Sequence, residues 1–455
     1  MNLSSHLIIA TPLMVTFVSA ILSSFNEMGK RWQNYVIGLL GALLVFFLYV
    51  FFNFATAAPE FHSSLFEVGL DKASLFIGAL FCGSLFIGLY PVRHQVTLSP
   101  MFLYYIAGGL GIILANNLVT FFLFWTFQRS LPIFGFVKDA YKEESSGGGT
   151  YVLQHLMTFL CLIALMIMAY QNNILFSTFA EIPASFFTWP VLLLSFVIIY
   201  ESHGIFPFHS WIHDVMGKLS WYELSCLFLS RAGVLLFVKF LLPTFSQNPD
   251  LFKILLLSLS IISSIYWSFR GIFEMNISKA VTYFYVAQTS LILTGLQANM
   301  AAQHGSFLHM MVISLTGTAM WSILSYIQHY FSIKRHNRFY GLAQFYPKLA
   351  TLFCLFGFCM VGIPMLASFV VEDLVINGLL EKWPYLGLGH IFATCLAGIL
   401  FFLIFTKLFM GMPSYRQEIR KMDMPFKEMI PYVAVLILMI LIGICPSLIL
   451  ERINF

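Results

Sequence analysis

Residues 186–213 read FFTWPVLLLSFVIIYESHGIFPFHSWIH, and this stretch decides the fold. It opens as an apolar run of the length, about 20 residues, that carries a helix across the hydrocarbon of a bilayer. It then breaks at Glu201-Ser202-His203-Gly204-Ile205-Phe206-Pro207, where a carboxylate and an imidazole stand beside two helix breakers. A membrane span interrupted at an ionisable pair admits water and frees backbone groups, which a simple anchor does not need.

Outward from this stretch, apolar runs of the same length recur along the chain. Their spans are 7–24, 34–53, 73–92, 101–118, 119–138, 151–170, 186–204, 222–242, 251–269, 280–298, 306–328, 349–370, 386–409 and 430–449, about 14 in all. Ala115-Asn116-Asn117 marks a turn between two of them. The composition agrees: 59% of the 455 residues are hydrophobic and 10% charged, with a mean hydropathy of +0.86. A water-soluble fold could not hide that much apolar surface. The first run has neither a basic start nor a small-residue cleavage site after it, so it reads as a retained helix, with the mature chain starting near Met1.

Lysine and arginine gather after the odd-numbered runs: Lys30 and Arg31, Arg93, Lys138 and Lys142, Lys218, Arg270, then Lys334, Arg335, Arg338 and Lys348, then Arg416, Arg420, Lys421 and Lys427. After the even-numbered runs stand only Lys72, Lys253 and Lys382. The positive-inside tendency puts the odd loops in the cytoplasm and both termini on the other side. The formal charge of +4 is spread over these short loops and gives no surface for nucleic acid. Ser145-Ser146-Gly147-Gly148-Gly149 reads as a flexible linker, and 411–428 as a polar segment lying along the cytoplasmic face. The seven cysteines lie in apolar runs without paired or metal-type spacing, as small buried hydrophobes do. No phosphate loop, dinucleotide glycine motif, metal spacing or nucleophile elbow occurs, so no catalytic, cofactor or metal residue is expected.

A second break, Gly362-Ile363-Pro364, falls about 160 residues after the first. Helix breakers at corresponding places in two halves point to an internal repeat with transport sites at the breaks. Ionisable groups inside the membrane cost about 2.5–3.5 kcal/mol each on insertion scales, so each needs a partner, a watered cavity or a function. They are Arg129, Glu201, His203, Arg231, Lys239, Lys279, His309, Glu372, Asp373 and Lys407. Glu201 and His203 could exchange protons at the first break or form a structural ion pair. Arg231 lies too deep to snorkel and cannot lose its charge, so it can tune a neighbour but not relay a proton. Lys279 reads equally as a central relay or as a snorkelling residue at a helix start. His309 suits a relay or a satisfied polar contact, Glu372-Asp373 could end a proton path, and Lys239 and Lys407 read as interface anchors.

Several stretches in order resemble the antiporter-like membrane subunits of respiratory complex I, a family that also includes subunits of Mrp antiporters, membrane hydrogenases and the DabB half of inorganic-carbon transporters. They are Gly69-Leu70-Asp71-Lys72-Ala73-Ser74, Leu114-Ala115-Asn116-Asn117-Leu118 with Phe124-Trp125, Phe206-Pro207-Phe208-His209-Ser210-Trp211-Ile212-His213-Asp214, and Arg231-Ala232-Gly233-Val234. Asn276-Ile277-Ser278-Lys279 with Tyr283, Gln288 and His309, and Gly362-Ile363-Pro364 to Phe369 and Glu372, complete the series. The resemblance implies an all-α polytopic membrane protein of about 14 transmembrane helices with two inverted five-helix repeats, each holding a broken helix. It divides the chain into three N-terminal helices over 1–100, a first repeat over 101–242, a second over 251–409, and an amphipathic segment and last helix over 410–455.

The same resemblance implies a proton path through Glu201, His203, Lys279, His309 and Glu372, with Arg231 as electrostatic control and Pro207, Gly362 and Pro364 at the helix breaks. His309 and Glu372 match the family outright. The family's fifth-helix Glu falls on Thr126, its broken-helix Lys on Ser202, its eighth-helix Lys on Arg231, and two second-half lysines on Ser278 and Gly317. The function implied is that of a proton-conducting subunit of a multi-subunit complex in a bacterial inner membrane, of the NADH-quinone oxidoreductase type, moving protons or sodium. It would carry no catalytic centre or cofactor of its own, with other membrane and peripheral subunits as partners. Two alternatives stand beside it: a DabB-type subunit feeding the proton gradient to a soluble zinc partner that takes up inorganic carbon, and a scaffold that no longer conducts.

Overall fold

A computed structural model describes residues 3–25, 30–53, 60–62, 67–141, 148–331, 339–412 and 423–450. Its helices are α1 Leu3–Phe25, α2 Lys30–Asn53, α3 Lys72–Leu89, α4 Phe102–Leu114, α5 Leu118–Tyr141, α6 Gly149–Gln171, α7 Trp189–His203, α8 Trp211–Val215, α9 Trp221–Leu229 and α10 Ala232–Leu236. Then follow α11 Asp250–Ile272, α12 Ile277–Leu296, α13 Met300–Tyr330, α14 Pro347–Val361, α15 Ala367–Lys382, α16 Pro384–Phe409, α17 Phe426–Ile444 and α18 Ser447–Leu450. Each apolar span read from the sequence falls on one of these helices or on a broken pair of them. The chain is an integral membrane protein of helical, polytopic architecture.

Among the described residues, eight helical spans are long and apolar enough to cross a membrane, and four shorter apolar helices, among them Trp189–His203 and Pro347–Val361, accompany them. α5 and α12 fall below that apolar mark because their buried faces carry polar groups: Gln128 and Arg129 on α5, and Gln288, Thr289, Ser290 and Thr294 on α12. Large apolar side chains that remain exposed, such as Leu153, Leu156, Leu160 and Ile167 on α6, suit a lipid-facing stripe.

The chain forms two compact units, one holding the chain up to Phe86 with Thr97–Phe252, the other Ile87–Val96 with Lys253 onward. In the first, α4 packs on α1, α5 and α9, and α7 on α6 and α10. In the second, α13 is buried along most of its length and takes α12, α14 and α15 against it. One small sheet escaped the sequence reading: β1 Glu60–His62 pairs antiparallel with β2 Glu67–Gly69. β2 fills the turn at Ala115-Asn116-Asn117, where the Asn116 N–H donates to the Glu67 carbonyl at 3.1 Å. Asp71 then starts α3 by accepting from the Ser74 N–H at 2.6 Å, an N-cap contact.

Parts of the linker 145–149 and of the polar segment 411–428 lie outside the described residues, as do Lys142, Lys334, Arg335, Arg338, Arg416, Arg420 and Lys421. The cysteines are free, and Cys395 and Cys445 are exposed rather than buried. Both sit on apolar helix faces or ends, where a bilayer makes burial in protein unnecessary.

Candidate functional site

Both breaks are built on a left-handed glycine. α7 ends at Gly204 with φ 65 and α14 at Gly362 with φ 89, a conformation in which only glycine avoids a steric cost. At the first break the space above the glycine is taken by Ile212, whose Cδ1 stands against the place an added Cβ would take. The neighbouring Trp211 indole N–H donates to the Glu201 carbonyl at 2.9 Å, which also accepts from the Gly204 N–H at 2.9 Å. Phe206–Pro207 is a cis peptide. At the second break the group above the glycine is the Glu372 carboxyl, with Oε2 pressed on the place of a Gly362 Cβ. Pro364 follows directly.

In the first unit the Glu201 side chain is fully buried. It meets His155 of α6, with Nε2 3.2 Å from Oε1, and the Thr158 hydroxyl faces the same carboxyl. Arg129 of α5, also buried, donates from Nη2 to the Ser202 carbonyl at 2.9 Å and lies over the Trp211 ring at 5.0 Å. Its Nε and Nη1 find no hydrogen-bond partner among the described residues. Tyr151 stacks on His155 at 3.8 Å and donates its hydroxyl to the Arg129 carbonyl at 2.7 Å. The Trp125 indole N–H donates to the Ser202 hydroxyl at 3.1 Å. Of these groups the sequence reading weighed Glu201, Ser202 and Arg129 but missed His155. The signal available was a lone histidine in the apolar run 151–170, four residues after Tyr151 and thus on the same helix face.

His203 points away from that cluster and toward α10. An added Cβ on Gly233 would press on its Nδ1 and lie 2.5 Å from the Ile199 carbonyl, so α7 and α10 touch backbone to backbone there. The Arg231 backbone, at φ 49, sits in the left-handed region between α9 and α10, an uncommon conformation for a non-glycine residue. Its buried charge bears on His203.

Lys239 corrects its sequence reading. The residue is buried, not an interface anchor, because α10 widens into a π turn at Phe237–Leu241 that turns the side chain inward. Its ammonium donates to the Ser74 hydroxyl at 2.7 Å and the Ala115 carbonyl at 2.9 Å, and pairs with Asp71 at 3.1 Å. It thus ties α10 to the start of α3 and the end of α4. Lys407 is half-buried beside the Phe339 ring at 5.6 Å.

In the second unit Lys279 lies in the first turn of α12, its N–H donating to the Asn276 side chain at 3.3 Å. Its neighbour Ser278 accepts from Gln328 near the end of α13 at 2.7 Å. His309 is buried but 19 residues earlier on α13, which at about 1.5 Å per residue is roughly 28 Å along the axis. Lys279 and His309 are therefore not neighbours, and the helix-start reading of Lys279 describes its position. Between those levels lie the buried Gln288, whose amide atoms have no hydrogen-bond partner among the described residues, and the buried hydroxyls of Ser314, Thr316, Thr318 and Ser322. Against α15, an added Cβ on Gly305 would meet Val375 and the Val371 carbonyl, and one on Gly378 would meet Asn299. That antiparallel register sets His309 level with Ser368, one turn from Glu372. Besides Arg231, four positions where the family has lysines or a glutamate are filled otherwise. Thr126 and Ser202 flank the Arg129–Glu201 cluster, Ser278 holds Gln328, and Gly317 is covered by the Tyr285 ring, which fills the place its Cβ would take.

Two broken helices in a polytopic bundle, each with a carboxyl at its break, define a membrane subunit of the ion-translocating type. Residues 115–397 match the family model for the transmembrane region of NADH:quinone oxidoreductase and Mrp antiporter subunits, and the chain belongs to that family. NADH-quinone oxidoreductase subunit M of Buchnera aphidicola is 21% identical, the alignment covering 98% of this chain and 95% of the relative. In the respiratory complex I of Thermus thermophilus a chain superposes with a TM-score of 0.82 at 17% identity, covering 98% of this chain and 97% of that one. A chain of the Mrp complex from Dietzia sp. DQ12-45-1b gives 0.83 at 14% identity, with 99% and 96% covered.

Proposed function

We propose that the chain is the proton-conducting, antiporter-like subunit of a multi-subunit complex in a bacterial inner membrane, with both termini on the non-cytoplasmic side. Protons use Glu201 and His203 in the first unit and Lys279, His309 and Glu372 in the second, with Arg231 as fixed electrostatic control. One observation supports this above the rest: in each unit a carboxyl stands at a glycine-ended helix break, a costly arrangement for a group without a task. The roughly 28 Å between Lys279 and His309 calls for a polar chain along α12 and α13, and Gln288 with the α13 hydroxyls supplies one. Partner subunits of the quinone-oxidoreductase kind fit the relatives named above, whereas coupling to inorganic carbon draws nothing from them. The test is purification of the intact complex in mild detergent, identification of the chains that accompany it, and proton flux after reconstitution. Flux that disappears in Glu372→Gln supports the reading. Equal flux in wild type and Glu372→Gln sinks its second half, and a wild-type complex without flux leaves a scaffold.

A further inference from the structure

The pair of atoms that face each other between α6 and α7 has a defined proton inventory. His155 Nδ1 lies 2.8 Å from the Tyr151 carbonyl, which can only accept, so Nδ1 carries hydrogen and a neutral ring presents the lone pair of Nε2. Nε2 stands 3.2 Å from Glu201 Oε1, a close contact without hydrogen-bond geometry, and neither atom has another hydrogen-bond partner among the described residues. A neutral imidazole against a carboxylate would set two acceptors face to face in a dry interior, a costly arrangement. The couple is therefore satisfied only when it holds one proton, either as carboxylic acid and imidazole or as carboxylate and imidazolium.

The surroundings differ on the two sides of that proton. Glu201 is sealed, while His155 borders an open, mostly apolar crevice of about 190 Å³ whose walls also include Thr126, Arg129, Ser130, Ile133, Val152 and Leu156. The imidazole is clamped between Tyr151 and Trp125, with the Trp211 edge at 5.6 Å, so it exchanges protons without changing place. The charged and titratable groups bearing on the couple are Arg129 from α5 and Tyr151 from α6. Arg129 cannot lose its charge at accessible pH, so it bears on both partners as a fixed cation.

We propose that His155 and Glu201 form a single proton-binding couple in the first unit, with Arg129 as a fixed charge beside it. In the transfer step the O–H bond of the Glu201 acid breaks as an N–H bond forms at His155 Nε2, leaving carboxylate and imidazolium, and the reverse transfer restores acid and imidazole. This rests on the proton-conducting reading above and adds His155 to its first-unit residues.

The test uses the full complex in proteoliposomes and the full-length chain by difference infrared spectroscopy. His155→Asn keeps a donor for the Tyr151 carbonyl and loses Nε2; Glu201→Gln removes the acid. Each is expected to melt cooperatively, to lower flux by about tenfold or more and to displace its pH profile, with the double variant no worse than either single one. A His155→Asn complex with wild-type flux and pH profile, or a double variant whose losses multiply, overturns the couple. Should neither variant assemble, the wild-type chain decides: a protonated carboxyl band that titrates and shifts in D₂O supports the couple, and its absence overturns it. A wild-type complex that carries no protons would instead overturn the functional reading, and the same band would then decide the couple by its presence or absence.

Discussion

The two helix breaks look alike in sequence and differ in what covers them. At Gly204 the cover is apolar, Ile212 with the Trp211 indole, and the carboxyl is turned into the bundle toward His155 and Arg129. At Gly362 the cover is the Glu372 carboxyl itself, contributed by the helix after the break. In the first unit the acid belongs to the broken helix and the cation to α5. The family pattern expected from the sequence has them the other way round, with Glu at Thr126 and Lys at Ser202. The lesson is that the loss of expected charges at two positions does not empty a site. A carboxyl and a guanidinium one to three residues away from those positions put both kinds of charge back in the same region, with their helices exchanged.

Several changes would break or sharpen this contrast. The largest effect belongs to the second break, where Glu372→Gln should lower proton flux of the reconstituted complex by about 10²-fold or more, with Glu372→Asp retaining part of it. Next comes Arg129→Ala, which removes the hydrogen bond to the Ser202 carbonyl and the contact with the Trp211 ring. It should cost about 1.5–3 kcal/mol, read as a fall in melting temperature in detergent, while Arg129→Lys recovers part of the loss. Gly317→Lys would restore the family residue, yet Tyr285 occupies its place. It should destabilise by about 1–3 kcal/mol or more, and Tyr285→Ala in the same chain should relieve most of the cost. Gly233→Ala presses on His203 and the Ile199 carbonyl and should cost about 1–3 kcal/mol, with the flux pH profile displaced only if His203 also titrates. Smallest is Ser202→Ala, which forfeits the Trp125 hydrogen bond and should lower stability by about 1 kcal/mol without abolishing flux.

Much of the fold was legible because a bilayer makes strong demands on sequence. Helix lengths near 20 residues and the glycine-proline breaks at 204–207 and 362–364 follow from hydrocarbon thickness and backbone satisfaction alone. The antiparallel pair of β1 and β2 was not legible, since three-residue strands carry too little alternation to register. The site was half legible. Glu201, Arg231 and Glu372 declare themselves as charges in apolar runs, but His155 resembles any buried polar contact until α6 is seen against α7. Lys239 was misread because depth along a helix does not reveal a π turn, which rotates a side chain off its expected face. Lys279 shows the converse limit. Adjacency in a motif suggested adjacency to His309, and only the pairing of Ser278 with Gln328 places it at the far end of α13.

Conduction at both breaks is the central claim. Proton flux into proteoliposomes holding the intact complex should be measured for the wild type, Glu201→Gln and Glu372→Gln side by side, with melting in detergent as the control for assembly. Both variants are predicted to stay assembled and to lose flux by about tenfold or more. Wild-type flux in both variants would contradict the claim that these two carboxyls carry the protons.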